Sequence, residues 1–69
     1  MKRVTDEELY NFCKEFGKKV VFTTEQRFQA ALKAKFYGRE DARQLRYRCE
    51  HLGLIKHEDE RIKVRKLSV

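Results

Sequence analysis

A change of hydrophobic period at Gly53 limits what this chain can fold into more than any other feature. Before it, Ala42, Leu45, Cys49 and Leu52 recur at steps of three and four, the rhythm of a helix that buries one face. After it, Leu54 and Ile55 open an extended stretch, and Arg61, Ile62, Lys63, Val64 and Arg65 alternate polar and apolar, as a half-buried strand does. Gly53 itself stands where a left-handed helix C-cap favours glycine. A helix therefore passes directly into a hairpin with Glu58, Asp59 and Glu60 at its tip. The spacing predicts this helix over Arg39 to Leu52, with Gly38 as its N-terminal cap.

The upstream half supplies two more helices and a short strand. Thr5 with Glu8 has capping-box spacing, and Val4 with Leu9 is spaced for a hydrophobic staple. A first helix is predicted from Asp6 to about Phe16, with Leu9, Phe12, Cys13 and Phe16 on its apolar face and Gly17 ending it. Val20, Val21 and Phe22 are β-branched and aromatic, a run suited to a brief strand. Thr23 with Gln26 repeats the capping spacing, and Thr24 follows at once, so a second helix is expected from there to about Lys35 with Phe28, Ala31 and Leu32 inside. Phe36, Tyr37 and Gly38 then make a short turn. The expected fold is α+β, a single domain over residues 1–69, with three helices, a short strand and a C-terminal β-hairpin.

Size and charge narrow the function. A chain of 69 residues buries only about 60% of its unfolded surface, which leaves little room for an enzyme pocket of about 300 Å³ or more. No phosphate-cradling glycine loop or nucleophile motif occurs. The carboxylates of Asp6, Glu7 and Glu8 and of Glu58, Asp59 and Glu60 fall at a helix start and a hairpin tip, as dipole and solubility residues do. The expectation is a protein without catalysis. Lys and Arg number 17 against 11 Asp and Glu, a net charge of +6, and such an excess favours an anionic partner, nucleic acid first. The charge is spread almost evenly along the chain, so any basic face must come from folding.

Neither a long apolar run nor a secretory signal is visible, so a cytoplasmic location with no membrane partner is expected. The two cysteines suit reduced thiols. Cys13 and Cys49 lie on apolar stripes and are expected to pack as small hydrophobes. Together with His51 and His57 they match no common zinc spacing, and neither a metal nor a cofactor is expected.

Three stretches resemble the winged helix-turn-helix family: VVFTTEQ at Val20 to Gln26, the small-residue second helix, and ARQLRYRCEHLGLI from Ala42 to Ile55. The likeness covers nearly the whole chain. It implies a small winged helix-turn-helix fold with the hairpin as wing, and sequence-specific double-stranded DNA binding with the third helix in the major groove. Helical geometry agrees, since an inward apolar stripe turns Glu40, Arg43, Gln44 and Tyr47 outward, with His51 continuing that face and Arg39 and Arg46 on one flank. Arg suits a guanine edge and Gln an adenine.

The expected base contacts are therefore Arg39, Glu40, Arg43, Gln44 and Tyr47. The expected phosphate contacts are Lys18, Lys19, Thr23, Thr24, Arg27, Arg46, Lys56, Arg61, Lys63 and Arg65. The acidic tip departs from the family's pattern, because it sets like charge against phosphate. A transcriptional or mobile-element regulator is implied, with DNA and either a second copy or another protein as partners. The first helix, the wing or the C-terminus would be the contact; Leu67 and Val69 fall out of the strand's alternation, so the strand either has a bulge or leaves them for a partner. Two other readings use the same residues: a protein-interaction adaptor working through the acidic tip and exposed Tyr10 and Tyr37, and an RNA- or ribosome-binding module using the basic surface.

Overall fold

Capping chemistry starts the first helix where the sequence predicts it. In the computed structural model, which describes residues 2–65, α1 (Asp6–Lys19) is capped by Thr5. The Thr5 hydroxyl accepts the Glu8 N–H at 3.1 Å, and the Thr5 N–H donates to Glu8 Oε1 at 3.0 Å. The helix does not end at Phe16 but runs through Gly17 to Lys19. A Cβ at Gly17 would stand 3.2 Å from both the Arg65 carbonyl oxygen and Val64 Cγ1. The glycine thus allows helix and strand to approach closely, and it does not stop the helix.

The first strand, β1 (Phe22–Thr24), lies two residues beyond the expected Val20 to Phe22. Its ladder with β3 (Arg61–Val64) pairs Phe22 with Lys63, Thr23 with Ile62 and Thr24 with Arg61. This register turns Thr23 into the core, so Thr23 and Gln26 do not form a capping box. Thr24 caps α2 (Glu25–Lys35) instead, accepting the Arg27 N–H at 3.2 Å.

The third helix, α3 (Ala42–His51), starts three residues later than expected. Its cap is not Gly38 but Asp41, whose carboxylate accepts the Arg43 N–H at 3.1 Å. Its end follows the predicted glycine logic. Gly53, at φ +77°, donates to the Glu50 carbonyl at 3.0 Å, and Leu54 donates to the Cys49 carbonyl at 2.9 Å, the paired closure of a Schellman motif. Leu52, which the spacing placed inward, remains exposed at this cap, and Leu54 is buried in its stead.

The hairpin joins β2 (Ile55–Glu58) to β3 through Asp59 and Glu60. Asp59 takes φ +56°, a left-handed value that Asp tolerates better than most residues. The sheet is antiparallel in the order β1-β3-β2. Three helices and this sheet make the expected small α+β architecture of the winged-helix kind. All three helices contact the sheet or one another around a core that includes Val4, Leu9, Cys13, Phe28, Leu32, Leu45, Cys49 and Ile62. Phe28 meets Phe12 and Phe16 edge-on, with centroids 5.9 and 5.4 Å away. The free thiols of Cys13 and Cys49 lie 3.8 Å apart and fully buried between α1 and α3. The Cys49 sulfur, and then burial, push the Cys13 thiol up. Among the described residues no helix is long and apolar enough to cross a membrane. The expectation for Leu67 and Val69 lies outside the described residues.

Candidate nucleic-acid interface

Most of the arginines on and before α3 are bound within the molecule. Arg46 is only 4% exposed. Its Nε lies 2.6 Å from Glu25 Oε1 and its terminal nitrogen 2.6 Å from Glu50 Oε1, which ties the start of α2 to the middle of α3. Arg46 is therefore an internal brace between the two helices, and the flank position expected for a phosphate contact is corrected. Arg48 donates to the Val4 carbonyl at 2.7 Å, to Glu40 at 2.8 Å and to Asp6 at 2.6 Å.

Arg39 and Glu40, expected at the groove-facing start of the third helix, precede it and are turned to the N-terminal segment. Arg39 grips Glu8 through both terminal nitrogens at 2.6 and 2.9 Å, and donates to the Arg3 carbonyl at 3.0 Å. Glu40 accepts the Val4 N–H at 3.2 Å as well as the Arg48 bond. These long-range pairs explain why α3 begins at Ala42, because both residues are held by the segment at 2–8 instead of joining the helix. Neither retains the outward position that base contact requires.

The Arg39 guanidinium and the Thr5 backbone N–H hold the Glu8 carboxyl at about 2, below its ordinary 4.5. A carboxylate with a depressed pKa contributes stability that is complete above its unfolded value and is lost as pH falls through its folded one. The thermal midpoint is thus expected to decline between about pH 5 and pH 2. In Glu8→Gln the decline across that window should be shallower and the midpoint at neutral pH lower. A pH series of melting curves checks both, and parallel curves for the two proteins would contradict the pairing.

What remains free on α3 is its outward face. Arg43, Gln44, Tyr47 and His51 are exposed, and none forms an ion pair with another described residue. Tyr47 is 53% exposed, with the Arg46 guanidinium 5.2 Å from its ring centroid. Gln44, Tyr47 and His51 line an open groove of about 640 Å³ together with Arg3 and Asp6. Arg3 is a candidate that sequence reasoning missed. It sits before the first helix, and the bonds that Arg39, Glu40 and Arg48 make to its neighbourhood bring it beside α3.

The expected phosphate contacts scatter. Lys18 and Lys19 close α1, with Lys18 3.5 Å from Glu15, and Arg27 is exposed in the first turn of α2. Thr23 is buried and offers no phosphate contact, whereas the exposed Thr24 hydroxyl accepts the Arg27 N–H as a cap and keeps its own O–H to donate. Lys56, Arg61 and Lys63 stand on the solvent face of the sheet, and Arg65 donates to the Gly53 carbonyl at 3.1 Å. At the wing tip Glu58 lies opposite Arg61, and Asp59 and Glu60 are exposed. Among the described residues no group of three or more His, Cys, Asp or Glu side chains converges as metal ligands would. No known family model matches the chain, and comparison with curated proteins and with solved structures likewise finds no match.

Proposed function

We propose that the protein binds double-stranded DNA sequence-specifically, with α3 in the major groove, as a small regulator of transcription or of a mobile element. One observation carries this reading. Arg43 is the single arginine of α3 without an ion-pair partner among the described residues, and it shares its outward face with Gln44 and Tyr47. Arg and Gln at the start of such a helix have the donors to read a guanine and an adenine edge, and Tyr47, a turn further on, suits backbone or rim contact. Arg3 extends the same surface along the groove beside α3. Arg27, Lys18 and Lys19 supply exposed cations for phosphates, which position the domain without specifying a site.

Three or four reading side chains cover a short site. Useful discrimination then needs a second module, either another copy of this chain or a second protein on neighbouring DNA. Selection from random duplexes with excess RNA as competitor tests the reading in one step. Enrichment of a short motif is expected, with affinity falling steeply as salt rises. Absence of duplex binding at about 50 mM salt would overturn the proposal.

A further inference from the structure

The sheet carries a second surface that α3 does not share. Side chains alternate across a strand, and burial of Thr23, Ile55, Ile62 and Val64 on the helix side sends Phe22, Lys56, Glu58, Arg61 and Lys63 to the other. The register aligns Phe22, Lys63 and Lys56 in one row across the three strands, and Thr24, Arg61 and Glu58 in the next. Phe22 is 43% exposed although it is a large apolar side chain. The Arg61 guanidinium lies 4.9 Å from its ring centroid and the Lys63 ammonium 5.9 Å.

Two features of this face matter, a repulsive pair and an exposed ring that two cations only partly cover. Lys56 and Lys63 are directly opposed, and like charges at opposed cross-strand positions destabilise a sheet. An exposed ring in the same row faces solvent with cations on it. An anion bridging the lysines would relieve the repulsion, and a flat π-system laid on Phe22 would cover the ring. A nucleotide supplies both in one unit.

We propose that the solvent face of the sheet binds single-stranded nucleic acid, a base stacking on Phe22 beside Arg61 and the backbone phosphates lying along Lys56 and Lys63. Stacking platforms next to cationic tracks are the general means of holding single strands without sequence preference. A protein partner fits less well. Lysine is depleted in protein interface cores, and here two cations lie against one aromatic ring with a further lysine in the same row. The site is independent of α3, so the protein would hold duplex and single strand on different surfaces.

Fluorescence anisotropy with a labelled oligothymidylate of about 12 nucleotides tests this, with a labelled duplex and an oligoglutamate peptide as parallel probes. Phe22→Ala is expected to weaken oligothymidylate binding about 5- to 150-fold, and Phe22→Tyr should restore it. Lys56→Glu replaces a repulsive cross-strand pair with an attractive one, so it should fold at least as well as the parent and still lose the single strand. Arg43→Ala should leave single-strand affinity unchanged. Wild-type protein that ignores the oligonucleotide, or a Phe22→Ala protein that binds it normally, overturns the proposal. Tighter binding of oligoglutamate than of oligothymidylate overturns it in favour of a protein partner. Loss of single-strand binding in Arg43→Ala would assign that binding to α3 instead. Failure of the duplex arm alone would bear on the major-groove reading and not on this one.

Discussion

Phe28→Ala is expected to remove about 3 to 5 kcal/mol of stability and to leave much of the population unfolded. The side chain is fully buried in α2 and is the common partner of two other rings, those of Phe12 and Phe16. Truncation would lose the transfer free energy of the ring, its edge contacts and the packing of the space it fills. A domain of 69 residues has about 3 to 10 kcal/mol in total, so one such loss takes a large share. Tyr37→Ala is the control, since Tyr37 is 81% exposed and its removal should change stability by less than about 0.5 kcal/mol. Urea denaturation of the two variants beside the parent measures both. Equal midpoints for Phe28→Ala and the parent would refute the core described above.

Arg43→Ala is expected to weaken binding to a selected duplex by about 1 to 3 kcal/mol while changing affinity for random duplex little. That pattern belongs to a side chain reading a base edge. A uniform loss on all duplexes, with the salt slope reduced by about one, would make Arg43 a phosphate contact. Arg39→Ala separates the roles of the two arginines. Because Arg39 is committed to Glu8 and the Arg3 carbonyl, its loss should lower the melting temperature and leave the ratio of specific to random affinity intact. If Arg39→Ala relaxed sequence preference as Arg43→Ala does, its assignment to the fold would be wrong.

Locally encoded features were legible. The capping box at Thr5 and Glu8, the apolar faces of the helices apart from Leu52, and the glycine closure at Gly53 involve residues within a few positions of one another, and each appears as expected. The burial of Cys13 and Cys49 follows from the same helical period. Errors collected at the joints. Gly17 and Gly38 both read as punctuation, yet one lies inside a helix and the other in a turn three residues before the true cap at Asp41. The first strand slipped by two residues because Val20 and Val21 have the stronger β propensity, whereas pairing with β3 selects Phe22 to Thr24.

The candidate site was legible only in its centre. Arg43, Gln44 and Tyr47 follow from the helix period once Leu45 and Cys49 are placed inward. Which cations stay free does not follow from any period. Arg39, Arg46, Arg48 and Arg43 read alike in sequence, and Arg39 finds Glu8 at a separation of 31 positions while Arg48 finds Asp6 at 42.

By itself, then, the sequence determined the number and kind of the elements and most of their apolar faces, because capping, helical period and strand alternation act between near neighbours. Only the tertiary structure decided where α3 begins, which arginines are internal braces, and that Phe22, Lys63 and Lys56 share one row of an outward sheet face. Those outcomes depend on charges and strands far apart in the chain, which chain folding alone brings within a few ångströms of each other.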